Sequence, residues 1–212
     1  MSFHNDVILC CVAPIPAAPA TRGANISWLR KVRAGDNQRQ SPACTCFTLA
    51  NWLEIMDGIS ISDDEAVAVW RTGIEMCGLN KKSGLAVQWA FAAAQERKWF
   101  NDSATIFRAT DLARTMATQP VIAVYEITKG WYNPDPKTGC LDHSPEANAE
   151  RDGYHCVLAT SLLYDLGGTP IPDGPWVSIE QSWGFGHGYQ GQVSMNAKMH
   201  TRQCKELWEI RR

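Results

Sequence analysis

Three side chains that lie far apart in this sequence have the chemistry of a cysteine hydrolase. They are the thiol of Cys46, the imidazole of His155 and the amide of Gln181. A thiol attacks a carbonyl carbon efficiently only as the thiolate, so it needs an imidazole to take its proton and a polar group to orient that imidazole. A donor must also hold the oxyanion, and Gln40 supplies an amide shortly before Cys46. These residue types predict thiol-dependent acyl transfer.

The helices that would position the thiol follow from hydrophobic periodicity. A helix over residues 46–57, ended by Gly58, is predicted by apolar residues at helical spacing, namely Leu49, Trp52, Leu53 and Met56. Cys46 then lies in the first turn of this helix. A capping-box pattern at Ser62 predicts a second helix over 62–77, and a third is predicted over 84–98.

The second half of the chain has the pattern of strands. Short apolar runs at 121–125, 156–160, 176–179 and 191–195 predict them, with long loops at 130–152 and 167–175. Because helices come first and strands second, we expect an α+β fold in which a helical subdomain packs against an antiparallel, barrel-like one with a cleft between them. We expect an extended, proline-rich arm over 1–25 and one domain over 26–212, with a helical half at about 26–117 and a strand-rich half at about 118–212.

The composition excludes several classes of protein. Nine Trp and 45% hydrophobic residues indicate a folded chain, and a net charge of -2 argues against a nucleic-acid binder. The apolar run over 7–13 is too short to span a bilayer, and no basic residue precedes it as in a signal peptide. We therefore expect a soluble monomer that binds neither membranes nor nucleic acids. Since no second close pair of ligands accompanies Cys44 and Cys46, we expect no metal and no cofactor.

Several segments, taken in chain order, resemble the papain family of cysteine peptidases. Residues 40–47 are similar to Gln-Gly-Ser-Cys-Gly-Ser-Cys-Trp, with Gln40 six residues before Cys46. Gly153-Tyr154-His155 matches the place of the family histidine. The most specific match is 181–191, which fits Asn-Ser-Trp-Gly-Thr-Gly-Trp-Gly-Glu-Asn-Gly without a gap. Ile26-Ser27-Trp28 also resembles the family's Val-Asp-Trp, and together the matches cover residues 26–195.

This resemblance implies a role for each matched residue. Cys46 is the nucleophile, His155 the acid-base and Gln181 the group that orients it, while Gln40 and the backbone N–H of Cys46 bind the oxyanion. The resemblance also places Gly84, Tyr154 and Trp183 in the substrate cleft, implies a peptide or protein substrate, and suggests a disulfide between Cys44 and Cys77. Gln38 is a rival to Gln40, because Asn37-Gln38 resembles the family's Asn-Gln.

Two alternatives remain open at the level of sequence. Gln181 replaces the family's Asn and has one more rotatable bond, so the chain could be a weakened pseudoenzyme that binds a peptide partner. The same thiol and imidazole could also serve a deamidase or acyl transferase. A lone cysteine in an apolar helix is more often a core residue than a nucleophile.

Overall fold

The computed structural model describes residues 25–28, 37–38, 41–166, 169–171 and 173–212. The first three helices are α1 (Cys44–Asp57), α2 (Asp63–Cys77) and α3 (Val87–Glu96). The side chain of Ser62 accepts a hydrogen bond from the Glu65 N–H at the start of α2. Gly58 and Gly78 follow α1 and α2 with φ of 70° and 67°, the left-handed conformation that glycine adopts without strain and that ends a helix.

A large antiparallel sheet packs against these helices. The remaining elements are β1 (Ile26–Ser27), β2 (Thr105–Arg108), α4 (Leu112–Met116), β3 (Val121–Thr128), β4 (Arg151–Leu163), β5 (Asp165–Leu166), β6 (Thr169–Pro170), β7 (Trp176–Glu180), β8 (Gln192–Asn196), α5 (Ala197–Gln203) and β9 (Cys204–Arg211). The order in the sheet is β2-β9-β3-β4-β7-β8, with β1 paired to β4, and every pairing is antiparallel. β5 and β6 form a separate hairpin.

The sheet separates two apolar cores, because successive side chains of a strand point to opposite faces. On β3, Ile122 packs with the helices, whereas Val121 and Ala123 pack in the second core. On β4, Cys156 and Leu158 face the helices in the same way, while Val157 belongs to the second core. β4 therefore contributes side chains to both cores.

The predicted α+β architecture is confirmed, with corrections to its elements. α1, α2 and α3 lie within a few residues of the predicted helices, and β3, β4, β7 and β8 correspond to the four predicted strands. The segment 26–117 is not wholly helical, because β1 and β2 belong to the sheet. The predicted loop over 130–152 is shorter than expected, since a 3-10 turn occupies Lys129–Trp131 and β4 begins at Arg151.

Two further expectations concern the N-terminal arm and membrane-spanning helices. The predicted arm over 1–25 lies outside the described residues except for Asn25, whose side chain bonds to the start of the β5–β6 hairpin. Among the described residues, no helix has both the length and the apolar character that crossing a membrane requires.

Candidate active site

Cys44 is the first residue of α1 and is only partly buried. No side chain caps this helix, since the N-cap residue is Ala43. A helix N-terminus carries unpaired amides and the positive end of the helix dipole, and both stabilise a thiolate. Cys44 is thus a cysteine at the place where the helix can activate a thiol.

Cys46 has a different environment, although it lies only two residues further along α1. Its side chain is 0% exposed and packs in the helical core with Leu49 and Leu53. Burial, and then the neighbouring Cys44 and Cys156, raise its pKa well above the usual value. Because a nucleophile must reach its substrate, this fully buried position argues against the prediction that Cys46 is the nucleophile.

The first turn of α1 is held against β4 by one hydroxyl. Thr48 donates to the carbonyl oxygen of Cys44 at 2.9 Å and lies 3.0 Å from the carbonyl oxygen of Cys156. Cys156 directly follows His155 on β4, and the Cys44 thiol also has a backbone hydrogen bond to Cys156. The thiol at the helix N-terminus therefore lies beside the strand segment that carries the histidine.

His155 is 3% exposed and is surrounded by aromatic rings. The ring of Trp183 stacks on the imidazole with centroids 4.5 Å apart and an interplanar angle of 23°. The indole of Trp131 meets the imidazole edge-on at 6.4 Å. Burial, and then the charge of His187, lower the pKa of His155 to about 3. The imidazole is therefore neutral at pH 7.

The predicted orienting contact between Gln181 and His155 is not made in this structure. Gln181 follows β7, the neighbour of β4, and is 2% exposed. Neither its amide nitrogen nor its amide oxygen has a hydrogen-bond partner among the described residues, and the buried Nε2 of His155 also has none there. Each group has the hydrogen-bonding capacity that the other lacks, because a neutral Nε2–H donates and an amide oxygen accepts.

Gln38 is connected to the same part of the site. Its backbone N–H donates to the carbonyl of Ser182 at 2.8 Å, and the Ser182 hydroxyl donates to its side-chain oxygen. The backbones of the adjacent residues Asn37 and Trp183 form an isolated antiparallel β-bridge. Because its oxygen is engaged, the side-chain N–H₂ of Gln38 is oriented as a donor. Gln40, the predicted oxyanion donor, lies outside the described residues.

Comparisons with known proteins bear on the fold of the chain. No protein-family model and no curated protein matches the chain. Among solved structures, it is similar to xylellain, a cysteine protease from Xylella fastidiosa, with a TM-score of 0.64 and 15% identity, covering 95% of this chain and 87% of that one. It is also similar to digestive procathepsin L 3 of the Tenebrio molitor larval midgut, with a TM-score of 0.60 and 14% identity, covering 94% and 73%. The chain has a papain-like fold. At these identities the likeness concerns the fold alone.

The other predicted cleft residues have distinct places in this papain-like fold. Tyr154 is half exposed next to His155, and Trp183 covers the imidazole. Gly84 is exposed near the N-terminus of α1, where a Cβ added to it would lie 3.9 Å from the Pro42 carbonyl oxygen. The neighbouring loop is tied to α1, because Thr45 donates to the Leu85 carbonyl at 2.8 Å.

The predicted disulfide between Cys44 and Cys77 is absent, since both carry free thiols. The Cys77 thiol instead donates to the carbonyl of Gly73, one turn back in α2, at 2.9 Å. The thiol of Cys44 is therefore available for chemistry.

Sequence reasoning did not consider Cys44 as a nucleophile, although helical periodicity distinguishes it from Cys46. The buried stripe that predicted α1 includes Leu49 and Leu53, which lie three and seven residues after Cys46. Cys46 is thus on the core-facing side of the same helix. Cys44 lies two residues, or about 200°, away around the helix axis, and it is a partly buried neighbour of that core rather than a member of it.

Proposed function

We propose that this protein is a papain-like thiol peptidase that hydrolyses peptide or isopeptide amide bonds, with Cys44 as its nucleophile and His155 as its acid-base. The observation that carries the proposal is the contact of Thr48 with both Cys44 and Cys156. This contact sets the N-terminus of α1 against the segment of β4 that bears the histidine.

The protonation states support a neutral starting pair. Burial raises the pKa of Cys44, while hydrogen bonds from Cys156, from Thr45 and from its own backbone lower it. Because His155 is also neutral at pH 7, the thiol proton passes to the imidazole as the sulfur attacks. We assign the hydrogen of the neutral ring to Nε2, so Nδ1 is the nitrogen that takes the thiol proton.

The remaining steps use groups that surround the pair. The carbonyl oxygen of the substrate becomes an oxyanion, and the Cys44 backbone N–H and the Gln38 amide donate to it. His155 then gives its proton to the leaving amine, which breaks the C–N bond and leaves a thioester on Cys44. In the second half-reaction His155 takes a proton from water, the hydroxide attacks the thioester, and the carboxylate product leaves with the thiol restored.

A thiol-reactive substrate-like probe tests this proposal at neutral pH. We expect mass spectrometry to find the label on Cys44, and we expect Cys44→Ala to abolish labelling and peptide hydrolysis. Cys46→Ala is the matched control, two residues away in the same helix, and it should retain labelling. Labelling that survives in Cys44→Ala and disappears in Cys46→Ala would identify Cys46 as the nucleophile instead. His155→Ala should slow labelling if the imidazole takes the thiol proton.

The second candidate function is a papain-like protein that binds peptides with little turnover. It is favoured by one observation, the absence of a hydrogen bond between Gln181 and His155. A wild-type protein that binds peptides but neither takes the probe nor releases new amino termini would support it. Release of ammonia instead of new amino termini would indicate a deamidase.

A further inference from the structure

His187 lies beside the candidate site and is not used by the proposed reaction. It belongs to the turn after β7, where its backbone N–H donates to the Gly184 carbonyl at 3.1 Å. Its ring meets the ring of Trp183 edge-on, with centroids 4.8 Å apart and an angle of 83°. Its Nε2 lies 3.0 Å from the backbone carbonyl oxygen of Trp131. Because a carbonyl can only accept, this nitrogen carries the proton in the neutral ring.

Trp131, to which His187 is tied, is a fixed point of the second core. It is 0% exposed, and its indole N–H donates to the side chain of Gln203 at 2.9 Å. The same Gln203 side chain donates to Asn148 at 2.9 Å and lies 3.4 Å from the Thr128 hydroxyl. A buried and satisfied polar network of this kind holds its members in one arrangement.

Trp183, in contrast, is only partly buried and lies in an irregular segment. It stacks on His155 and also on Tyr132, whose ring is 5.6 Å away at an angle of 11° and is 42% exposed. The indole therefore lies between a buried ring, that of His155, and an exposed ring, that of Tyr132. His187 connects it to the rigid Trp131.

We infer that His187 is a positioning residue that holds Trp183 stacked on His155, by its ring edge on one side and its Nε2–H bond to Trp131 on the other. The inference rests on the proposed function, because the stacked indole keeps water from the buried Nε2 and fixes the plane of the imidazole. A His155 that rotates out of plane cannot present Nδ1 to the thiol, so turnover falls while substrate binding is retained.

The position of Trp183 can be measured without any enzymatic assay. A proton lying over an indole ring is shifted upfield by the ring current, so the Hε1 signal of His155 should be upfield of an unstacked histidine. With ¹³C-labelled histidine, the signal is assigned as the one missing in His155→Gln. We expect the upfield shift to be lost in His187→Ala. We expect part of it to be kept in His187→Phe, which retains a ring edge against Trp183 but loses the bond to Trp131.

The kinetic expectation follows the same pattern. We expect His187→Ala to lower kcat about tenfold with KM within about twofold, which is the signature of an interaction needed only in the chemical step. We expect His187→Phe to stay within about threefold of the wild-type kcat, because the stacking is preserved. Phe185→Ala is the control: this side chain is 55% exposed in the same turn, and its loss should change neither quantity.

The outcomes separate the inference from the proposed function. An unchanged His155 signal in His187→Ala would refute the positioning role. A lost shift with normal kcat, or an equal loss in Phe185→Ala, would refute its importance for the reaction. If the wild-type protein shows no thiol reactivity and no hydrolysis, the proposed function fails, while the resonance experiment still decides whether His187 holds Trp183.

Discussion

Gln181→Met should make the protein more stable and less active. Gln181 is 2% exposed and both polar atoms of its amide lack a partner among the described residues. A buried polar group without a hydrogen bond costs about 1–3 kcal/mol, and methionine fills a similar volume without that polar group. We therefore expect the free energy of unfolding to rise by about 1–3 kcal/mol. For a chain of this length this corresponds to a rise in Tm of about 2–4 °C per kcal/mol.

Gln203→Met is the matched control for this change. Gln203 has the same exposure, 2%, but its amide bonds to Trp131 and Asn148. The same substitution there removes hydrogen bonds and leaves the buried indole N–H of Trp131 without a partner. We expect it to lower the free energy of unfolding by about 2–4 kcal/mol. Both values come from urea denaturation at pH 7, with the m-value as a check that the transition is the same.

The activity of the Gln181 variants gives the second half of the prediction. A thioether sulfur is a weak acceptor, so methionine cannot hold the imidazole N–H of His155 and kcat should fall. Gln181→Asn retains an amide on a shorter side chain, and we expect it to keep or raise activity, whereas Gln181→Ala should lower it. A loss of stability in Gln181→Met close to that of Gln203→Met would show that the Gln181 amide is bonded in the folded protein. Equal activity in all three Gln181 variants would show that this residue does not orient the histidine.

Other predictions concern acid stability and the turn after β7. Burial lowers the pKa of His155 to about 3 and that of His200 to about 4, so below about pH 6.5 the unfolded chain binds protons that the folded chain does not. Urea denaturation between pH 7 and pH 4 should show stability falling by up to about 1.4 kcal/mol per pH unit for each histidine, and His200→Gln should reduce this slope; an unchanged slope would contradict it. Gly188→Ala should destabilise the protein by about 2 kcal/mol or more, because φ is +72° and a Cβ would lie 2.1 Å from the Gln192 carbonyl oxygen. Gly186→Ala, where nothing lies within 4 Å, should be neutral in the same thermal melts.

The helices and strands with a clear apolar pattern were predictable from the sequence. The strands that contain many charged residues were missed. β9 mixes Lys205, Glu206 and Glu209 with apolar residues, and the first two pair with residues of other strands that the sequence does not display. Glu206, for example, pairs with Arg108 of β2 at 2.7 Å, and these two residues are 98 positions apart. β2 itself has four residues and is mostly exposed at the sheet edge, so burial leaves little trace in its composition.

The start of β4 was missed for a related reason. Its first residues are polar or glycine, and only pairing with β3 extends them, as in the register of Glu126 with Tyr154. The carboxylate of Glu126 is accommodated there because Arg151 and Lys205 both lie 3.0 Å from its oxygens. The sequence alone therefore predicts a loop here, whereas in the structure the segment is the start of the strand that contains His155.

The identity of the nucleophile shows where motif matching needs three-dimensional information. Gln40 precedes Cys46 by six residues, and Gln38 precedes Cys44 by the same interval, so the sequence contains the Gln-to-Cys spacing twice, displaced by two residues. In a helix, residues two apart point in nearly opposite directions, so the two thiols cannot both face the histidine. The core contains Cys46, and the Gln38 side chain is bonded to Ser182 beside Gln181. The two facts are independent, one from packing and one from hydrogen bonding, and both favour the register with Gln38 and Cys44.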